Sequence, residues 1–264
     1  MTNNSTISDI PVRRVAASSI VARAAQEIGQ CRTVCANCNL RELCLPCCGL
    51  SRSEREVAER LPYGRVRVRR GASLYRAGDR FSALYAVRNG FFKSLAPIEN
   101  GREQVTGFAM AGEVLGLDGV APERHNCNAV ALEDSEVCSI PFADLQALAQ
   151  EIPVLQGHFY KMMSREIVRE HGMMLQLGSM NAEERLAMFL LNLSQRFAAR
   201  GYSAAEFNLR MTREEIGSYL GLKLETISRT FSRFQEQGLI LVQQKFVRII
   251  NSAGLQGVMG REPD

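Results

Sequence analysis

The stretch Met211–Arg229 reads M-T-R-E-E-I-G-S-Y-L-G-L-K-L-E-T-I-S-R, and its punctuation marks two helices and the turn between them. Thr212 followed by Glu215 is a capping box: the threonine oxygen and the glutamate carboxylate each satisfy an amide that a helix start leaves without a partner. A helix over 213–220 follows, Gly221 supplies the turn, and a second helix runs over 224–237. That spacing is a helix-turn-helix. In the second helix Leu224, Ile227, Phe231 and Phe234 form the stripe expected to be buried, while Glu225, Ser228, Arg229 and Ser232 share the opposite face. Short side chains that donate and accept hydrogen bonds suit a helix lying in the major groove of DNA. Glu225, Ser228 and Arg229, at i, i+3 and i+4, are the candidate base readers. Thr212 and Arg213, at the start of the preceding helix, are counted with them as candidate contacts. Leu239–Val242 and Phe246–Ile250, joined around Gln243–Lys245, predict a hairpin wing. From Asn181 to the end eleven Lys/Arg stand against nine Asp/Glu, so charge adds little and the motif carries the inference.

Upstream, Asn181 with Glu184 caps another helix, whose Leu186, Phe189, Leu190, Leu193 and Phe197 face a core until Gly201 closes it. Before it a long helix over 155–177 is expected. Its Met163, Ile167, Glu170, Met174 and Leu177 alternate spacings of four and three, which is a coiled-coil seam. One seam position is therefore a glutamate. Pro153 separates this helix from a helical turn over 141–149 with Phe142, Leu145 and Leu148 on one face.

Between 65 and 140 the period falls to two. R-V-R-V-R alternates from Arg65, and A-L-Y-A-V-R and F-F-K-S-L-A flank Asn89-Gly90, a hairpin signal because a type I′ turn needs positive φ at both positions. Asn100-Gly101 repeats the signal. Strands are expected at Gln104–Met110, near Val114, at Asn128–Leu132 and at Ser135–Ile140, which together make a β-roll or small barrel. Ser53 with Glu56 caps a short helix ending before Pro62. His125 falls in a loop and reads as an isolated surface histidine.

Six of the eight cysteines lie between Cys31 and Cys48, where Cys35, Cys38, Cys44 and Cys47 spell C-x2-C-x5-C-x2-C. Thiolates this dense in a long chain without a secretory signal point to a metal or cluster rather than to disulfides. The five-residue gap is short for a zinc ribbon, whereas iron-sulfur clusters accept close runs and commonly recruit a remote ligand. Cys127 and Cys138 are the remote candidates. At 264 residues, 46% hydrophobic and 23% charged with a formal net charge of +4, the chain has the composition of a globular protein of one or two domains. A polyanionic partner is permitted but not demanded. No apolar run is long enough to span a bilayer, residues 1–30 read as a flexible tail, and the expected location is the cytoplasm. No Gly-rich cofactor fingerprint or catalytic constellation stands outside the cysteines, so an enzyme is not expected.

The order of cysteine-rich amino terminus, β-roll, long helix and winged helix-turn-helix resembles the Crp/Fnr superfamily of transcription regulators and, within it, the Fnr type of oxygen sensor. The resemblance covers nearly all of the chain after residue 34. It is most specific in C-A-N-C-N-L-R-E-L-C-L-P from Cys35, C-S-I-P-F from Cys138, N-A-E-E-R-L from Asn181 and the stretch from Met211. It implies an α+β chain: a flexible tail (1–30), a cysteine-rich cluster-binding segment (31–50), a β-roll sensor domain of the cyclic-nucleotide-binding kind (51–153), a dimerisation helix (154–180) and a winged helix-turn-helix domain (181–264). It implies that Cys35, Cys38, Cys44 and Cys138 hold a [4Fe-4S] cluster. It implies further a homodimer that binds a TTGAT…ATCAA palindrome until oxygen converts the cluster to a [2Fe-2S] form and separates the dimer. RNA polymerase is an implied partner, through β-roll loops such as those at Asn89, Gly90 and Gly101.

Cys31, Cys47, Cys48 and Cys127 depart from the pattern. Cys47 competes with Cys138 for the fourth ligand position by its local spacing, and Cys31 and Cys48 read as spectator thiols. Ala111-Gly112-Glu113 resembles the start of a nucleotide phosphate cassette, but His125-Asn126-Cys127-Asn128 stands where an arginine and a serine should follow, so no cyclic nucleotide is expected. A zinc-stabilised or thiol-redox-sensing Crp-like regulator is the alternative.

Overall fold

The structure is a computed structural model that describes residues 63–98 and 101–260. Cys35, Cys38 and Cys44, the other cysteines up to Cys48, the cap expected at Ser53 and Glu56, and Asn100 lie outside the described residues. The alternating residues after Tyr63 build eight strands: β1 Gly64–Val68, β2 Ser73–Tyr75, β3 Ala83–Asn89, β4 Phe91–Pro97, β5 Glu103–Met110, β6 Val114–Leu115, β7 Asn128–Ala131 and β8 Ser135–Pro141. They pair antiparallel in two four-stranded sheets, ordered β1-β8-β3-β6 and β2-β7-β4-β5. Val68, Val87, Phe92, Ala129 and Val137 fill the space between the sheets. This is the expected β-roll, with β2 an addition too short to show a period.

Asn89-Gly90 is not a hairpin. β3 pairs with β6 and β8, while β4 pairs with β5 and β7, so the chain leaves one sheet and enters the other at this point. Gly90 has φ 94°, and a Cβ there would lie 2.1 Å from the Ser135 hydroxyl oxygen. A tight corner and a type I′ turn both require positive φ, so the dipeptide alone does not separate them. The second signal does mark a hairpin: β4 and β5 pair from Phe91↔Met110 to Pro97↔Glu103, and the Ile98 amide donates to the Arg102 carbonyl at 2.8 Å.

α1 (Phe142–Glu151) lays Leu145 and Leu148 on Leu84 and Ile140. Pro153, whose missing amide costs nothing in a first turn, opens α2 (Pro153–Ser179). Leu155 is the buried residue of this long helix, and Ile167, Val168, Met174, Leu175 and Leu177 are exposed. α3 (Ala182–Ala198) begins at the complete Asn181/Glu184 capping box and buries Leu186, Leu190 and Leu193. Then follow β9 Glu206–Asn208, α4 Arg213–Leu220, α5 Leu224–Glu236, β10 Ile240–Gln243, β11 Phe246–Ile249 and α6 Ser252–Val258. The wing is a three-stranded sheet, β10-β11-β9, so the expected hairpin gains a third strand.

In α5 Ile227, Phe231 and Phe234 are buried as expected, but Leu224 is 45% exposed. It stands in the first turn, before the helix meets the core. Thr230 points inward instead, its hydroxyl donating to the Thr226 carbonyl at 2.9 Å.

Candidate nucleic-acid interface and sensor site

The helix-turn-helix is held by the contacts its sequence announces. Thr212 Oγ1 accepts from the Glu215 amide at 3.1 Å, and Glu215 Oε2 accepts from the Thr212 amide at 2.6 Å. Gly217 makes a close approach, since a Cβ there would meet the Leu222 carbonyl oxygen at 2.6 Å. α5 thereby presents Glu225 and Arg229 to solvent with Ser228 half-buried beside them. Neither Glu225 nor Arg229 has an ion-pair partner among the described residues, which leaves both available to base edges. Arg213 sits differently. Its guanidinium lies 4.0 Å over the Phe231 ring, and its buried Nη1 has no hydrogen-bond partner. Burial lowers its pKa, and the side chain braces α4 against α5.

The unit is seated on the β-roll. One apolar cluster joins Phe91, Leu95, Val105, Phe108 and Met110 of the roll to Phe189, Leu190, Ile216 and Leu220, each fully buried side chain contributing about 1.5–3 kcal/mol. Above it Glu113 takes Arg196 at 2.6 and 3.0 Å and Arg200 at 2.7 Å. Burial alone would raise the Glu113 carboxyl, but the two guanidinium groups and the Met110 amide hold it below the usual carboxylate range. Lys93 and Glu215 form a second ion pair at 2.8 Å, and Gln104 and Val105 bond to Ser218. The sequence marks Glu113 only within Ala111-Gly112-Glu113 and gives no sign of its arginine partners, 83 and 87 residues away.

Cys138 lies in β8, opposite Arg65 of β1 and Ala86 of β3, half-buried against the cluster of Leu84, Ile140 and Leu145. Tyr63, the first described residue, is buried in that same cluster. Cys127 stands just before β7, against the cluster between the sheets. Its thiol donates to Asp118 Oδ2 at 3.3 Å, and burial followed by the Asp118 charge pushes it up to about 12. A thiol held protonated beside a carboxylate is a poor ligand donor. His125 is not at the surface as expected: it is 3% exposed and stacks on Tyr75 at 3.7 Å, with Nδ1 3.4 Å from Asp118 Oδ1. Tyr75 comes from fifty residues earlier, which no local pattern could reveal. Asp118 Oδ2 also accepts from the amides of Asn126 at 2.8 Å and Cys127 at 3.2 Å. Burial would raise the Asp118 carboxyl, yet His125, the Asn126 amide and the Cys127 thiol lower it.

A cavity of about 500 Å³ opens between β5, the 114–118 segment and α2, lined on the helix side by Met163, Glu166, Ile167, Arg169, Glu170 and Met174. Four of the five seam residues therefore border it, and Leu177 lies exposed beyond. Burial raises the Glu166 carboxyl, with Glu170 and Glu113 adding to the effect and Arg169 opposing it. Among the described residues no three His, Cys, Asp or Glu side chains gather as a metal site. Cys138 fits a cluster as a single thiol donor, with the remaining donors to come from outside the described residues.

Residues 184–258 match the Crp-like helix-turn-helix domain and residues 65–151 the cyclic nucleotide-binding domain. The chain is 49% identical over 228 residues to the transcriptional regulatory protein btr of Bordetella pertussis, covering 86% of this chain and 94% of the relative. It is 42% identical over 232 residues to the fumarate and nitrate reduction regulatory protein of Escherichia coli K12, covering 88% and 92%. Its structure is similar to that of FixK2 from Bradyrhizobium japonicum, with a TM-score of 0.69 at 27% identity over 76% of this chain and 99% of that one. These relatives are regulators rather than enzymes, and among the described residues no helix is long and apolar enough to cross a membrane. A β-roll carrying a seated helix-turn-helix, matched over most of its length by such proteins, has one family: the chain belongs to the Crp/Fnr family of transcription regulators.

Proposed function

We propose that this regulator responds to oxygen through a [4Fe-4S] cluster held by Cys35, Cys38, Cys44 and Cys138, and that the cluster's state decides dimerisation and binding to a TTGAT…ATCAA palindrome. The observation that carries the reading is the place of Cys138: it packs in the cluster that holds Tyr63, while Cys127 packs on the cluster between the sheets with its thiol held protonated. Bound there, the group would supply an oxygen-labile centre that passes to a [2Fe-2S] form. The chain's own part is mechanical. A ligand in β8 ties the amino-terminal segment to the face on which α1 and the start of α2 pack, so a change at the thiols bears on the seam helix.

In the dimer the seam is Met163, Ile167, Glu170, Met174 and Leu177. The exposure of Ile167 and Met174, 51% and 61%, supports an apolar partner surface there. Glu170 is the brake: two carboxylates within about 4 Å across the two-fold axis repel by roughly 1–4 kcal/mol, enough to hold the cluster-free chain as monomer. Base reading falls to Glu225, Ser228 and Arg229, with Thr212 and Arg213 supporting as capping and bracing residues. Arg229 suits guanine and Glu225 the cytosine amino group, at about 1–3 kcal/mol of discrimination each. RNA polymerase is a partner through exposed turns such as that at Gly101. A cyclic nucleotide has no place in this reading, because the Asn126 and Cys127 amides are engaged by Asp118 and Glu113 by two arginines.

Anaerobic purification of wild type, Cys138→Ser, Cys127→Ser and Cys47→Ser tests it. Wild type should be brown with iron and sulfide and bleach in air, Cys138→Ser should lose the colour, and the other two should keep it. A Cys138→Ser protein with a normal [4Fe-4S] spectrum beside a colourless Cys47→Ser protein overturns the remote ligand, and a colourless wild type carrying zinc overturns the cluster.

A further inference from the structure

The run Gly64–Arg70, G-R-V-R-V-R-R, carries four arginines and no carboxylate, and the contacts described so far use none of their charge. Among the described residues β1 is an edge strand, bonded to β8 alone. Val68 turns into the roll, and Arg65, Arg67, Arg69 and Arg70 are exposed, Arg67 over 90% of its side chain. Strand alternation sets Arg65 and Arg67 on one face about 6.6 Å apart, with Arg69 and Arg70 following at the strand end. Glu136, opposite Arg67 on β8, lies 3.9 Å from Arg65, 3.5 Å from Arg67 and 2.7 Å from Arg88. Asp134 is the other nearby carboxylate, accepting the Arg70 amide at 2.8 Å. Against these two carboxylates among the described residues, the four arginines of the run leave two positive charges in excess.

The turn that carries those carboxylates also touches the helix-turn-helix unit. Glu133 pairs with Arg210 at 3.0 Å, two residues before the Thr212 cap, and Lys245 of the wing turn reaches the Arg210 carbonyl at 3.4 Å. Exposed cations thus continue from the wing through Arg210 to the edge strand.

We infer that the arginine ridge of β1 is a second DNA surface, which takes the phosphate backbone of the duplex flanking the site read by α5. Guanidinium forks match phosphate oxygens in pairs, and a spacing of about 6.6 Å is roughly twice the axial rise per phosphate of one strand. Glu136 holds the row in place without neutralising it. Protection of an edge from other strands would be served by any charge and needs no such continuity with the wing.

The inference rests on the palindrome reading, which a scrambled duplex tests separately. Full-length protein purified without oxygen is titrated over a salt series with a duplex of about 24 base pairs holding only the palindrome, and with one extended by about two helical turns on each side. Wild type should bind the long duplex at least about fivefold tighter, with a salt slope steeper by about 0.9 per phosphate neutralised. The triple variant Arg67→Glu, Arg69→Glu, Arg70→Glu should lose both differences while its short-duplex affinity stays within about twofold, and the triple lysine variant should keep most of the steeper slope. Equal wild-type affinity for the two duplexes overturns the inference, as does a glutamate variant that keeps the length dependence or loses the short duplex as well. A glutamate variant with unchanged affinities that fails only in transcription with RNA polymerase overturns it too, in favour of a protein-docking surface. If scrambling the palindrome leaves the long-duplex affinity of wild type unchanged, the palindrome reading fails and the ridge stands.

Discussion

The β-roll closes the side it turns to the helix-turn-helix unit and leaves open the side it turns to α2. On the closed side a shared apolar cluster is roofed by Glu113 with Arg196 and Arg200, and by Lys93 with Glu215. On the open side a cavity of about 500 Å³ remains, and the helix that borders it keeps Ile167, Val168, Met174 and Leu175 in solvent. A saturated interface behaves as one body. Under the proposed function the exposed α2 stripe is a face for a second copy of the chain, so a switch acts on the α2 side while the reading head rides on the roll as a fixed attachment.

The largest effect that would sharpen this contrast is expected on the open side. Ile167→Glu with Met174→Glu should abolish the anaerobic dimer and weaken palindrome binding by about a thousandfold, near 4 kcal/mol, while the thermal midpoint of the monomer shifts by under about 2 °C. Sedimentation and calorimetry read the two parts, and a large fall in the monomer's midpoint would show the stripe to be core. Glu170→Leu should move the opposite way and give dimer in air; a persistent monomer at concentrations where the anaerobic wild type dimerises sinks the charge brake.

Glu113→Ala comes next, on the closed side, and should cost about 2–4 kcal/mol by stranding two partly buried arginines. Because the folded Glu113 pKa lies below its unfolded value of about 4.3, its stabilising part is complete above about pH 5 and fades as pH falls through the folded value. The gap in denaturant midpoint between wild type and Glu113→Gln should therefore shrink on acidification; a gap that widened would mean that the carboxylate is not what the arginines hold. The smallest effect is Leu224→Ala, under about 0.5 kcal/mol for an exposed first-turn residue, beside about 3–5 kcal/mol for Phe231→Ala. Equal losses would restore Leu224 to the buried stripe.

The reading head was legible because its signals are local. Thr212 with Glu215 and Asn181 with Glu184 act within three residues, and both boxes are complete in the structure. Asn89-Gly90 misled because the φ it needs is common to a hairpin and to a corner, and the choice depends on Ser135, 45 positions on. His125 depends on Tyr75, 50 positions away, and Glu113 on arginines 83 and 87 away. Cys127 and Cys138 are separated in the sequence only by the resemblance at C-S-I-P-F; their surroundings, a thiol beside Asp118 and one in the cluster that holds Tyr63, come from long-range packing. Arg213 reads as a candidate DNA contact, and its ring partner Phe231, on the next helix, has no local signal.

The pairing of β1 with β8 has a consequence in time. Gly64 is in register with Ser139, so the strand that follows the cysteine-rich segment finds its neighbour only after about 75 further residues have been made. At about 5–20 residues per second, the stretch from Cys44 to Cys138 takes roughly 5–20 s to leave the ribosome. Throughout that interval the first three proposed ligands exist without the fourth and without a roll to shelter them. Assembly on a nascent chain would give an exposed, incomplete centre, so loading should follow release, and the delay between synthesis and activity should track iron and sulfide supply rather than translation rate.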